Sequence, residues 1–94
     1  MKQQWTFLIL MKSELHAEMR VFQLASNQQV SMTTFTGRRS GELLTMTFVV
    51  KADEKQAKRI EALLYRLQPM LRVDCFLSER RDAAERDQFR EGTD

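Results

Sequence analysis

Hydrophobic residues alternate with smaller and more polar ones from Leu43 to Val50, a pattern that predicts a central β-strand. One face of this stretch carries four large apolar residues at a two-residue spacing: Leu44, Met46, Phe48 and Val50. The other face carries leucine, threonine and valine, with no charged residue. A strand without charge on either face fits the middle of a sheet, where neighbouring strands pair with both of its edges.

Three more stretches have a strand pattern. The stretch from Trp5 to Met11 is apolar on both faces, which predicts a second central strand. The stretch from Gln29 to Phe35 is rich in threonine, and Phe35 is out of phase, which indicates a bulge or a strand end. We assign residues 37–41, Gly-Arg-Arg-Ser-Gly, to the turn of the hairpin that follows. The last stretch, Leu71 to Leu77, predicts a second edge strand, with these residues inward: Leu71, Val73, Cys75 and Leu77.

Two segments have the period of an amphipathic helix. In the first, Leu15, Met19 and Phe22 form the apolar stripe, which ends with Ala25 or Ser26. Ser13 is a candidate cap, and the helix ends near residues 26–28. In the second, Asp53 and Gln56 have the spacing of a capping box. Its apolar stripe consists of Ala57, Ile60, Leu64 and Leu67, and Pro69 stops it.

The resulting order is strand, helix, strand, strand, helix, strand. This order predicts an α+β, ferredoxin-like βαββαβ fold with a four-stranded antiparallel sheet in the order 4-1-3-2 and both helices on one face. The two apolar strands then occupy the centre, and the two polar strands occupy the edges. We expect one domain over residues 1–78. Residues 79–94 hold six acidic and four basic residues with one large apolar side chain, and we expect a charged flexible tail.

Composition narrows the class of protein. The chain has 94 residues, a formal net charge of +2 and one cysteine, Cys75, which excludes an internal disulfide and a multi-cysteine metal site. No stretch reaches the roughly 18 apolar residues of a membrane span. We therefore expect a soluble, cytoplasmic protein that has no membrane contact and needs no metal or other cofactor.

The residues offer little for catalysis. The one histidine, His16, has no Cys or Asp at a defined spacing, and we expect its side chain to lie on the surface. We expect the thiol of Cys75 to be inert. The loop after the first strand contains Lys12, Ser13 and Glu14 and lacks the Gly and Arg that would hold a phosphate. It also lacks a C-x-x-C metal motif. We predict no catalytic residues and no enzyme activity.

A βαββαβ chain could also bind RNA through aromatic side chains on its open sheet face. In such modules the third strand carries a glycine and aromatic pattern. The matching residues 42–49, Glu-Leu-Leu-Thr-Met-Thr-Phe-Val, lack both the glycines and the aromatic pair. An RNA-binding module is therefore the remoter alternative, and we expect no nucleic-acid partner.

The sheet face without helices is semi-apolar, because Leu8, Leu10 and Val49 lie on it with several threonines. Such a surface usually meets another protein. The exposed, threonine-rich second strand lies beside this face and is suited to symmetric pairing with a second copy of itself. We expect a homodimer joined through the second strand.

At the level of individual residues, the chain resembles the ACT domain of acetolactate synthase small subunits. The resemblance is nearly ungapped from about Thr6 to Leu77. The residues that carry it belong to the second helix and the last strand: Asp53-Glu54-Lys55, Ile60-Glu61, Leu67 and Met70-Leu71-Arg72-Val73. The resemblance implies a non-catalytic regulatory subunit of branched-chain amino acid biosynthesis that dimerises through its second strands. It also implies a catalytic large subunit, a thiamine-diphosphate enzyme, as the partner.

Many members of that family bind a branched-chain amino acid between the loop after the first strand and the partner's second strand. Carried over to this chain, the resemblance implies a ligand site at these residues: Met11, Lys12, Ser13, Glu14, Leu15, Gln29 and Val30. Family members usually have glycine where Glu14 stands, and Glu14 adds a negative charge where a carboxylate would lie. We therefore expect amino-acid binding to be weak or absent. The alternative function is a stand-alone ACT-type amino-acid sensor or a regulatory partner of another enzyme.

Overall fold

A computed structural model describes residues 2–78, and it contains four strands and two helices. In chain order these are β1 (Gln3–Lys12), α1 (Ala17–Ser26), β2 (Ser31–Ser40), β3 (Leu43–Ala52), α2 (Glu54–Tyr65) and β4 (Met70–Leu77). The strands form one antiparallel sheet in the order β2-β3-β1-β4, which is the predicted order read from the other edge. The predicted tail, residues 79–94, lies outside the described residues.

The core lies between the sheet and the two helices. The two central strands contribute alternate residues that are almost completely buried: Trp5, Phe7, Ile9 and Met11 from β1, and Leu44, Met46, Phe48 and Val50 from β3. Phe48 stacks on Phe7, with ring centroids 4.8 Å apart, and on Phe35 of β2, with centroids 5.9 Å apart. The core therefore contains a row of three aromatic rings that crosses three adjacent strands.

The β2–β3 hairpin is tighter than predicted. Ser40 pairs with Leu43, so only two residues, Gly41 and Glu42, connect the strands. Gly41 has φ of 60°, as the first central position of a type II′ turn requires, and glycine adopts this angle without steric cost. The prediction that residues 37–41 form the turn was wrong. Residues 37–40 instead continue the β2 strand.

A bulge in β2 explains the phase of Phe35. Met32 pairs with Val50 and Thr34 pairs with Val49, so Thr33 is the extra residue on the β2 side. The bulge shifts the alternation by one residue and brings Phe35 opposite Phe48 on the helix-covered face. The predicted irregularity is confirmed, and it is what adds the third ring to the core.

Leu71 on β4 does not face the core. It is 48% exposed, because the β1–β4 register shifts between Leu10 and Met11 and leaves Leu71 in a bulge. Met70, which pairs with Met11, packs against the core in its place. The prediction of an inward Leu71 was wrong. Val73 is buried as expected, and Cys75 and Leu77 pack against the core while remaining partly exposed.

Helix α1 presents the opposite face from the one predicted. Its buried residues are Ala17, Val21 and Ala25. The predicted apolar stripe is on the outside instead, with relative exposures of 82% for Leu15, 57% for Met19 and 46% for Phe22. The physical reason is the aromatic row beneath the helix, which already fills the space that large side chains would need. Small residues allow α1 to approach the sheet.

The start of α1 also differs from the prediction. His16 is the N-cap residue, its side chain makes no capping hydrogen bond, and its φ is 65°, in the left-handed region. Ser13 lies three residues before this position, so it does not cap the helix. The left-handed residue turns the chain between the loop and the helix.

Helix α2 follows the sequence prediction closely. The Asp53 side chain accepts a hydrogen bond from the Gln56 N–H at 2.7 Å, and the Gln56 side chain accepts one from the Asp53 N–H at 3.0 Å. The capping box is thereby confirmed. Ala57, Ile60 and Leu64 are fully buried. The Tyr65 hydroxyl donates to the Val73 carbonyl at 2.9 Å and fastens the end of the helix to β4.

The capping box predicts the effect of Asp53→Ala. Because the substitution leaves an N–H of the first turn without its acceptor, we expect the free energy of unfolding to fall by about 1 kcal/mol. Asp74→Ala is the matched control. Asp74 forms an exposed ion pair with Arg72 at 3.0 Å, a type of contact that contributes less than about 0.5 kcal/mol. Urea unfolding measures both variants, and equal losses would contradict the capping role.

Candidate functional site

The loop between β1 and α1 contains most of the predicted ligand residues, and two neighbouring turns accept hydrogen bonds from its start. The Lys12 N–H donates to the Pro69 carbonyl at 3.2 Å, and the Ser13 N–H donates to the Glu42 carbonyl at 2.7 Å. Met11 is fully buried in the core, so its side chain is not available to a ligand. Lys12, Glu14 and Leu15 are exposed.

The other two predicted ligand residues lie elsewhere in the same chain. Gln29 and Val30 follow the C-terminal end of α1, while the β1–α1 loop precedes its N-terminal end. The ten residues of α1 separate the two groups by about 15 Å. One chain therefore does not bring the seven predicted residues together. Gln29 is exposed with a φ of 59°, and Val30 packs partly against the core.

Arg39 is the residue of this region that sequence reasoning missed. Its guanidinium donates hydrogen bonds to the Ser13 hydroxyl and to the Glu14 carbonyl oxygen, the second at 3.3 Å, and it forms an ion pair with the Glu18 carboxylate. These contacts connect the end of β2 to the β1–α1 loop and to the first turn of α1. We call this set of contacts the Arg39 clamp.

A correct prediction of the β2–β3 turn would have indicated that Arg39 lies on the face covered by α1. Once β2 is continued to Ser40, the two-residue period places Phe35, Gly37 and Arg39 on one face, the face that α1 covers. In the predicted turn of residues 37–41, Arg39 had no expected contact with the first helix.

The carboxylates of the loop region already have cationic partners. The Glu14 carboxylate lies 3.8 Å from the guanidinium of Arg20 in α1, and Glu18 pairs with Arg39. An incoming amino acid would present its own carboxylate beside these two negative charges. Each of the two carboxylates is partly neutralised by an arginine of the same chain.

An apolar groove runs between α1 and β2. Its volume is about 360 Å³, and its lining consists of Glu18, Met19, Phe22, Gln23 and Phe35. The Phe22 ring meets the Phe35 ring edge to face, with centroids 5.3 Å apart and an interplanar angle of 89°. We call this feature the α1–β2 groove. It lies beside the free edge of the sheet.

The face of the sheet opposite the helices is semi-apolar, as predicted. It contains a shallow depression of about 330 Å³, with a lining that includes Leu8, Leu10 and Thr45 and the ion pair of Arg72 and Asp74. On the two central strands, the aromatic rings Phe7 and Phe48 point to the core instead of to this face. The described central strands therefore lack the aromatic display of an RNA-binding sheet.

The titratable candidates do not form a catalytic group. His16 is exposed at the start of α1. Burial, with a further contribution from the Glu61 charge, raises the pKa of the Cys75 thiol to about 12, although Lys58 acts in the other direction. The thiol therefore stays protonated at neutral pH and is a poor nucleophile.

Within residues 2–78, no cluster of three or more His, Cys, Asp or Glu side chains could hold a metal ion. No helix of this described part of the chain is long and apolar enough to span a membrane.

Comparison with known proteins identifies the fold. No protein-family model and no curated protein sequence matches the chain. Among solved structures, the ACT domain of a GTP pyrophosphokinase from Chlorobium tepidum matches with a TM-score of 0.75 at 9% identity, over 81% of this chain and 100% of that domain. A homoserine dehydrogenase from Thiobacillus denitrificans matches with a TM-score of 0.69 at 9% identity, over 82% of this chain and 17% of that enzyme.

The small subunit of acetolactate synthase from Thermotoga maritima also matches, with a TM-score of 0.68 at 19% identity. The match covers 78% of this chain and 47% of that subunit. At such low identities these likenesses show the fold alone. The chain has the fold of an ACT domain.

The Arg39 clamp predicts the effect of Arg39→Ala. Without the guanidinium, the β1–α1 loop loses about 1 kcal/mol of local stabilisation, so its amides should exchange with solvent roughly fivefold faster. Arg38→Ala is the control, because the Arg38 side chain lies on the opposite sheet face. Hydrogen exchange over residues 13–17 measures the difference. Equal exchange in the two variants would contradict the clamp.

Proposed function

We propose that the chain is a non-catalytic regulatory or stabilising subunit of acetolactate synthase, an enzyme of branched-chain amino acid biosynthesis in the cytoplasm. The observation that carries the proposal is the residue-level resemblance from Thr6 to Leu77, and the fold shared with the Thermotoga maritima small subunit supports it. The chain corresponds in length to about half of that subunit, at 47% coverage. In this role it acts on a catalytic large subunit that uses thiamine diphosphate.

The subunit acts as a dimer that is joined through β2. In a hairpin with a two-residue loop, the residues that flank the loop exchange backbone hydrogen bonds, and so does every second pair beyond them. Ser40 and Leu43 flank the loop here. The N–H groups of Phe35, Gly37 and Arg39 consequently face away from β3. They form a free edge to which a second β2 strand can pair.

Pairing of β2 with the partner's β2 gives a continuous eight-stranded sheet. Its helix-free face then extends across both copies, with Leu8, Leu10 and Val49 exposed in part on each. A semi-apolar surface of this kind is suited to contact with the catalytic subunit. In this arrangement the chain contributes surface and stability, and the catalytic groups come from the partner.

A second candidate function is an ACT-type amino-acid sensor or a regulatory partner of a different enzyme. The specific observation in its favour is that the TM-score with the ACT domain of GTP pyrophosphokinase, 0.75, exceeds the 0.68 obtained with the acetolactate synthase small subunit. Tight binding of an amino acid together with no effect on acetolactate synthase would favour this second function.

The test of the proposed function is activation of the catalytic subunit encoded in the same genome. We expect the purified chain to increase the rate of acetolactate formation and to comigrate with that subunit in size-exclusion chromatography. Cys75→Ser should activate as well as the wild type does, because the thiol is not catalytic. Absence of both activation and comigration would contradict the proposed function.

Two substitutions at Gly37 test the strand joint within the same assay. A Cβ at this position would lie 3.5 Å from Glu18 and from Met46, an ordinary contact distance, so Gly37→Ala should retain the dimer. Gly37→Pro removes the outward N–H from both copies. The loss of two hydrogen bonds, about 2 kcal/mol, should raise the dimer Kd roughly 30-fold. Sedimentation equilibrium measures it, and equal Kd values for the two variants would exclude this joint.

The β1–α1 loop gives a prediction for ligand binding. We expect the wild type to bind valine, leucine or isoleucine weakly or not at all, because Glu14 adds a negative charge near the start of α1, where the helix dipole favours an anion. Glu14→Gly removes that charge and should give measurable affinity. Glu14→Gln is the control that removes the charge but keeps the bulk. Isothermal titration decides, and tight binding by the wild type would contradict the role of Glu14.

A further inference from the structure

Two hydroxyl side chains on the helix-free face of the sheet are buried, although both described helices lie on the other face. Thr6 is 7% exposed and Ser78 is 1% exposed. Their hydroxyl groups share a hydrogen bond with an oxygen–oxygen distance of 2.6 Å. Both side chains point away from the helices, because their chain neighbours Trp5, Phe7 and Leu77 pack in the core. The outer face of an antiparallel sheet normally meets water, so such low exposure indicates a cover over this corner.

The strands beside Thr6 do not provide that cover by themselves. Its partners across the two ladders are Val49 and Phe76, and each stands beside Thr6 on the same face of the sheet. Farther along β1, the side chain of Leu8 on this face is larger and more apolar, yet it remains partly exposed. Burial on this face is therefore greatest where the chain leaves β4, at Ser78.

The next part of the chain starts at this corner. Ser78 is the last described residue, and residues 79–94 continue from it with Phe89 as their one large apolar side chain. Phe89 follows Ser78 by eleven residues, a distance of about 16 Å even at the short rise of a helix. The shallow depression on the helix-free face includes Leu8, which lies about 7 Å from Thr6 along β1. Phe89 can therefore reach the depression.

The net charges of the face and of this segment are opposite. Four basic side chains and one acidic side chain lie on the helix-free face: Lys12, Arg38, Lys51, Arg72 and Asp74. Residues 79–94 hold six acidic and four basic residues, which gives a net charge of −2. A segment of this charge is attracted to the face, and its phenylalanine can bury apolar surface there.

We infer that residues 79–94 fold back across the helix-free face of their own chain, and that the Phe89 ring occupies the depression beside Leu8 and Leu10. The depression has a volume of about 330 Å³, and the Arg72–Asp74 ion pair lies at its side. This contact needs no second copy. If the catalytic subunit of the proposed function binds the same face, it displaces this segment, so the segment regulates access to that face.

Methyl NMR of the full chain tests the inference. An aromatic ring shifts the resonances of methyl groups packed against it, so Phe89→Ala should move the methyl signals of Leu8 and Leu10. The signals of Ile60, which is buried beneath α2, should stay in place. Gln88→Ala is the matched control, because it alters the same segment without removing a ring. Unmoved Leu8 and Leu10 signals in Phe89→Ala, or equal movement in both variants, would overturn the inference.

Disulfide cross-linking shows which chain supplies the segment. In a Cys75→Ser background, the pair Thr45→Cys and Gln88→Cys should close within one chain, because Thr45 lines the depression that Phe89 occupies. The control pair is Ala62→Cys with Gln88→Cys, since Ala62 is exposed on α2. We expect the first pair to close roughly tenfold faster, with a product of monomer mass. Equal rates, or a product of dimer mass, would overturn the inference. Both measurements use this chain alone, so their outcome is independent of the catalytic subunit.

Discussion

The row of aromatic rings in Phe7, Phe48 and Phe35 is the interaction on which the rest of the structure depends. It spans β1, β3 and β2, and its central ring stacks on both of the others. The bulge at Thr33 brings Phe35 into this row. Above this row, α1 turns its small residues Ala17, Val21 and Ala25 to the core, and Phe22 meets the Phe35 ring edge to face from the outside. The outward position of Leu15, Met19 and Phe22 follows from that packing.

Contacts around the aromatic row determine the positions of the β1–α1 loop and of the start of α1. Arg39 holds the β1–α1 loop against the end of β2, and the left-handed His16 starts α1 at the angle that the rings allow. The result is a sheet with β2 at one edge, an apolar helix stripe above that edge, and a semi-apolar open face below. In the proposed function these are the surfaces that contact other protein chains. None of the described polar groups forms an arrangement that would perform covalent chemistry.

The sequence was sufficient for the features that depend on local pattern. The strand order followed from the absence of charge in the stretches Trp5–Met11 and Leu43–Val50, and the Asp53–Gln56 capping box needs only four consecutive residues. The face of α1 could not be predicted, because Leu15, Met19 and Phe22 repeat with the same helical period as Ala17, Val21 and Ala25. The choice between these faces depends on Phe35, which reaches the core through a bulge. Arg39 was missed because the predicted turn extended from Gly37 to Gly41 and so included Arg39.

The most direct test of a second copy at the β2 edge is hydrogen exchange of the backbone amides at several protein concentrations. The account predicts that the amides of Phe35, Gly37 and Arg39 exchange more slowly as the concentration rises from below to above the dimer Kd. Amides of the opposite edge strand, β4, serve as the internal reference and should not change. Exchange at Phe35, Gly37 and Arg39 that is rapid and independent of concentration would contradict the account.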